Sequence, residues 1–185
     1  PGGAPSLNLL NNLLGRGPAG DQDPAEPAEP ETGTREKGGS KKDRKEQKQL
    51  KAELIFAKRL GLTEDDTLDG VVSRCEKENQ RRKGMLQNGE IIYGPEHFSL
   101  PAYVRYEQTR FRLDFVSESE KVKKNYFYQR ISEEEKQAFY EANRDLFTRY
   151  HGDSFTYEEV SVIIRKRIRE MEYDKEIQNI LCQLN

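Results

Sequence analysis

The side chains able to do chemistry in this 185-residue chain are two histidines, two cysteines and 33 acids, and their spacing argues against most catalytic designs. His97 and His151 stand in no HExxH pair and beside no nucleophile in a recognised pattern, and neither a GxSxG elbow nor a phosphate-cradling P-loop occurs. Cys75 and Cys182 make no CxxC, no zinc spacing and no disulfide framework. Many of the acids fall in Ser117-Glu-Ser-Glu120, Ser132-Glu-Glu-Glu135 and Thr156-Tyr-Glu-Glu159. Each of these spells a capping box, in which a hydroxyl accepts from the amide three residues on and the carboxylate there reaches back. A structural duty already accounts for them. The expectation is a non-enzyme with no catalytic residues, no metal ligands and no cofactor.

The cations offer a different chemistry. Lys41, Lys42, Arg44 and Lys45 open one basic run, and Arg165, Lys166, Arg167 and Arg169 form another. Phosphate binding needs several cations converging on one surface, because affinity scales with the number of phosphates neutralised. Tyr126-Phe-Tyr128 could stack on bases, although buried core aromatics are the commoner use of such a cluster. Glu158, Glu159, Glu170 and Glu172 dilute the second run, and the net charge of −2 provides no global field to draw nucleic acid in. Nucleic acid is therefore the second-choice partner. Gly15-Arg-Gly-Pro-Ala-Gly20 spells GxGxxG, but with neither a strand before it nor a helix opening in it, it carries no dinucleotide site.

The apolar residues point to protein partners. Ser6-Leu-Asn-Leu-Leu-Asn-Asn-Leu-Leu-Gly15 places five leucines in a polar tail. On a helix over residues 6–14, Leu10, Leu13 and Leu14 share one face, the geometry of a short helix seated in an apolar groove. Their LxxLL pattern resembles the box by which coactivators engage nuclear receptors, a resemblance of five residues that implies docking by a leucine face. Leu7 and Leu9 widen that face, so the segment equally suits packing on the chain's own helical domain.

The elements that must present these residues follow from composition and period. At 34% hydrophobic and 35% charged, the chain is poor in core-forming residues, and part of it is expected to be unfolded. Residues 1–42 read as a disordered tail in which an acidic, proline-punctuated tract precedes the basic run. Residues 43–185 read as a small all-α multi-helix domain. Leu50, Leu54, Ile55 and Leu60 recur at helical spacing, and Gly61 supplies a left-handed stop. Thr63-Glu-Asp-Asp66 then reads as a start signal for a helix carrying Leu68, Val71, Val72 and Cys75. Asn88-Gly89 and Gly94-Pro95 mark turns around Glu90–Tyr93, a short stretch that could be extended. Pro101 opens the next helix. Arg110–Phe115 alternates like a strand, but helix is the better assignment for want of a partner strand.

The last segment, 156–184, carries two apolar stripes. Val160, Ile164, Ile168 and Met171 form the first; Tyr173, Ile177, Ile180 and Leu184 form the second, with heptad-like spacing. They fall out of register near Glu172, which predicts either a kink or two halves facing different neighbours. The second stripe is a candidate coiled-coil or partner-binding surface.

Phe139–Val160 resembles one EF-hand, with Phe155 at the hydrophobic position of the loop and Glu159 at its last ligand position. The earlier ligand positions then fall on Thr148, Tyr150 and Gly152, and the glycine position on Asp153. The resemblance thus implies a degenerate helix–loop–helix that binds no calcium. The leading expectation is a non-catalytic adaptor or assembly subunit, with Leu10, Leu13, Leu14, Tyr173, Ile177, Ile180 and Leu184 as its protein-binding anchors. No apolar run approaches the roughly 18 residues of a membrane span, so a membrane partner is not expected. The absence of sequons and of a disulfide pattern suits an intracellular protein, without separating nucleus from cytoplasm.

Overall fold

The computed structural model describes residues 41–148 and 153–184. The tail anchors Leu10, Leu13 and Leu14 lie outside the described residues, as do Tyr150, His151 and Gly152. Among the described residues the chain is all-α, with six α-helices, one 3-10 turn and no strand. The helices are α1 (Lys41–Arg59), α2 (Leu68–Gln87), α3 (Leu100–Val116), α4 (Glu120–Lys123), α5 (Glu133–Ala142) and α6 (Tyr157–Gln183). The 3-10 turn spans Arg144–Phe147, and a single antiparallel bridge joins Thr148 to Ser154.

Local chemistry explains most helix ends. After α1, Gly61 takes φ 73° and the Leu62 amide donates to the Ala57 carbonyl at 2.9 Å, the six-to-one bond of a Schellman motif. Gly89 does the same after α2, at φ 72°, with Glu90 N–H reaching Met85 O. The start of α2 differs from expectation. Thr67 is its N-cap, its hydroxyl accepting from Gly70 N at 3.0 Å. Thr63 instead is tucked into the preceding loop, its hydroxyl accepting from Asp65 N–H and donating to Asp65 O. Two of the three capping boxes form, at Ser132–Glu135 and Thr156–Glu159. The third does not: Ser117 is the C-cap of α3, and the Ser119 hydroxyl is buried without a hydrogen-bond partner among the described residues.

Helix α6 is the spine, with α1, α3 and α5 packed on it and α2 packed on α3. Three apolar clusters result. Leu50, Leu54 and Ala57 of α1 meet Val71, Cys75, Phe98, Tyr103, Val104 and Phe111 in the first. Phe56, Leu60, Phe115 and Val122 surround Tyr173, Ile177 and Ile180 in the second. Tyr140 and Phe147 close over Val160 and Ile164 in the third. Each fully buried Leu, Ile or Phe contributes about 1.5–3 kcal/mol to folding. The out-of-register stripes of α6 are thereby explained. It is one helix whose first half faces α5 and whose second half faces α1 and α3.

The segment between α2 and α3 forms no strand. It is held instead by Asn79, which exchanges hydrogen bonds with the Phe98 backbone at 2.7 and 3.0 Å. Arg82, buried on α2, lies 4.6 Å over the Phe98 ring and donates to the Tyr93 and Pro95 carbonyls. Arg110–Phe115 is helical; the alternation there reflects Phe111 and Phe115 pointing inward, four apart.

Candidate functional site

The structure separates the sequence-predicted site residues sharply. Tyr173, Ile177 and Ile180 are 2%, 1% and 2% exposed, and Leu184 packs half-buried against the same cluster. They are core, not a docking face. The heptad-like spacing marked an apolar stripe correctly, but α1 and α3 cover it. Met171, assigned to the first stripe, is 60% exposed instead.

The basic patch on α6 is likewise rearranged. Arg169 is buried and donates to Glu118 at 2.8 Å, to Glu172 and to the Gln129 carbonyl at 2.6 Å, with its guanidinium 4.8 Å over the Tyr128 ring. Arg165 shares Glu118 at 2.8 Å, and Arg167 pairs with Glu170. Lys166 is exposed, as are Arg44 and Lys45 on α1; Lys41 and Lys42 open that helix. A phosphate would have to displace internal carboxylates from Arg165, Arg167 and Arg169, so these cations do not form a ready phosphate surface.

The other buried polar groups hold helices together. Arg74 grips Glu107 with two bonds of 2.7 and 2.9 Å, and Tyr103 donates to the same carboxylate at 3.1 Å. Burial and the adjacent Glu107 charge push the Tyr103 phenol well above its ordinary range. Tyr126 donates to Glu172 at 2.9 Å while its ring packs on Phe56 and Phe115. Burial also raises the Glu53 carboxyl, against the opposing pull of Gln49, Gln108 and Arg112. A raised carboxyl can serve as a general acid, but Glu53 is half-buried and its carboxylate already accepts from Gln49 at 2.7 Å. Among the described residues no group of His, Cys, Asp and Glu is placed to hold a metal ion.

A groove of about 940 Å³ lies between the 3-10 turn and α6. Phe147 and Val160, both buried, form its floor; Leu146, Ile163 and Met171, 61%, 50% and 60% exposed, form its apolar walls. Charges rim it: Arg112 is bonded to Asp174 at 2.6 and 2.9 Å, and Arg167 to Glu170 at 2.8 Å. Leu146 and Ile163 were not singled out from the sequence. A signal existed in Val160-Ser-Val-Ile-Ile164, where Val162 and Ile163 widen the apolar arc beyond the stripe that the core requires. Elsewhere Ile91, Tyr93 and Phe127 stand 77%, 86% and 89% exposed on connecting segments.

No protein-family model matches the chain, and no curated protein matches it. Its fold is similar to part of a solved enzyme, the GH136 lacto-N-biosidase from Eubacterium ramulus. The native crystal structure superposes with a TM-score of 0.63 at 28% sequence identity. The selenomethionine derivative gives 0.62 at the same identity. In both, the match covers 74% of this chain but 28% of the enzyme chain. The chain thus spans little more than a quarter of the length of the enzyme it resembles, and the relation is to one helical portion of a glycoside hydrolase.

Proposed function

We propose that this chain is a non-catalytic helical assembly module of a glycoside-hydrolase system, an adaptor that packs on a larger protein body. The observation that carries this reading is the proportion of the match: most of this chain corresponds to just 28% of a lacto-N-biosidase. One feature supports the non-catalytic half. Glycosidases ordinarily set two carboxyl groups across a cleft, one as acid and one as base or nucleophile. Here Glu107, Glu118 and Glu172 are committed to Arg74 and Arg169. The adaptor half is supported by Ile91, Tyr93 and Phe127, large apolar side chains held almost fully exposed on segments pinned by Arg82 and Arg169.

Two measurements test the two halves separately. Incubation of the purified chain with a chromogenic lacto-N-bioside should release no chromophore above blank; saturable turnover would overturn the non-catalytic reading. Mixing the chain with the Eubacterium ramulus enzyme lacking its matching helical segment should give one co-eluting complex on gel filtration. Separate elution would remove the assembly reading.

A further inference from the structure

We propose that the groove between the 3-10 turn and α6 is the seat of the chain's own leucine segment, Leu7–Leu14, docked in cis. This inference stands apart from the proposed assembly role, because it concerns only two parts of one chain.

Three observations select this occupant. The first is apolar supply and demand. Leu7, Leu9, Leu10, Leu13 and Leu14 are the only large apolar residues in positions 1–40. The groove, in turn, gathers Leu146, Ile163 and Met171, exposed, over a floor of Phe147 and Val160. The second is charge. The groove is lined by Arg112, Arg167, Glu159, Glu170 and Asp174, with Arg112 holding Asp174 and Arg167 holding Glu170. Such a rim gives no net attraction to a strongly charged segment. Ser6–Gly15 has no charged residue, whereas the acidic tract and the basic run that follow it in the tail are both strongly charged. Asn8, Asn11 and Asn12 offer amides for the charged rim while the leucines face inward.

The third observation is reach. The 26 residues from Gly15 to Ser40 separate the segment from the start of α1. At a maximum of about 3.3–3.6 Å per residue they can span about 90 Å. A domain of this size has a radius of gyration of about 15 Å, so no point on its surface is out of range. Tethering also holds the segment near the groove at an effective concentration of about millimolar order, so weak docking suffices to keep the groove filled. The lengths agree as well: as a helix, Leu7–Leu14 would run about 12 Å, within the roughly 22 Å of α6 between Glu159 and Asp174.

The two methionines provide the test. Met171 lines the groove, and Met85, half-buried on α2, does not. The full chain and a variant with Leu10, Leu13 and Leu14 all changed to Ala are exposed to dilute peroxide, and sulfoxide at each methionine is read by mass spectrometry. The expected result is several-fold faster oxidation of Met171 in the variant with Met85 unchanged, reversed by adding a peptide of residues 5–16. Equal Met171 rates in the two proteins would overturn the proposal and leave the leucines for an external partner. Protection that disappears on dilution, together with a dimer in sedimentation, would overturn it in favour of a second copy as the occupant.

Discussion

Glu118 stands at a helix-end position that usually belongs to glycine, and from there its carboxylate meets Arg169 at 2.8 Å. Its φ of 52° is the one positive value among the described non-glycine residues. Its neighbours make the bonds of a Schellman stop: Ser119 N–H to Asp114 O and Glu118 N–H to Phe115 O, both at 3.0 Å. The left-handed backbone carries its carboxylate to Arg169 and Arg165, each at 2.8 Å. The end of α3 is thereby tied to the middle of α6. Left-handed backbone costs an L-residue about 1–2 kcal/mol, and the ion pairs offset that cost.

The backbone and side-chain parts of this device separate by substitution. Glu118→Ala and Glu118→Gly both remove the carboxylate, and both should be less stable than the parent in urea unfolding. The glycine variant should exceed the alanine variant by about 1 kcal/mol, because glycine occupies left-handed backbone without strain. Equal midpoints would show that the positive φ carries no strain.

Removing the cation should be worse than removing the anion. Glu118 can keep Arg165 if Arg169 is lost, but Glu172 is left with the Tyr126 hydroxyl, the Tyr128 ring loses its cation and the Gln129 carbonyl loses the Arg169 donor. Arg169→Ala should lower stability by about 3–5 kcal/mol, the range for breaking a buried pair. Arg169→Lys should recover only part of that, having no planar fork to reach several acceptors at once. A thermal melt decides it, and a parent-like Arg169→Ala variant would show that the network is ornamental.

Glu118 and Glu53 give opposite pH signatures. Burial raises Glu118, but the bonds from Arg169 and Arg165 outweigh it and hold the group below its ordinary value of 4.5. The stability it provides is complete above that value and is lost as pH falls through the folded pKa. Glu53 runs the other way. Burial holds it above 4.5, so the native state binds the proton more tightly and stability declines as pH rises from 4.5 through the folded pKa. Glu53→Gln, which keeps an acceptor for the Gln49 amide at 2.7 Å, should therefore raise the melting temperature at pH 7 and leave it unchanged near pH 3. A lower melting temperature at pH 7 would reject this account.

Tyr173 distinguishes a core residue from a binding anchor. Its ring lies 5.5 Å from both Phe56 and Phe115, while its hydroxyl is buried with no hydrogen-bond partner among the described residues. An unsatisfied buried hydroxyl costs about 1–3 kcal/mol. Tyr173→Phe should therefore hold or raise stability, whereas Ile177→Ala next to it should lose about 2–5 kcal/mol by leaving a cavity. If Tyr173→Phe destabilised as much as Ile177→Ala, the hydroxyl would have to be satisfied in solution.

What the sequence by itself determined is the local grammar of the helices. Gly61, Pro101, Ser132–Glu135 and Thr156–Glu159 all mark helix boundaries as read, and Asn88-Gly89, read as a turn, proves to be the stop of α2. Each acts through hydrogen bonds or backbone preferences confined to about one turn of chain, so neighbours in sequence suffice to see it. Ser117–Glu120 has the same letters but forms no capping box: Ser117 ends α3, Ser119 precedes α4, and Glu118 between them is held by Arg169, 51 residues away. Burial could not be read locally either. Periodicity showed that Tyr173, Ile177 and Ile180 share a face and that Arg165 to Arg169 are basic. Which element covers a face, and which carboxylate meets a cation, depends on how α1, α3 and α5 crowd onto α6. The period of a helix says that an apolar face must be hidden; only packing decides what hides it.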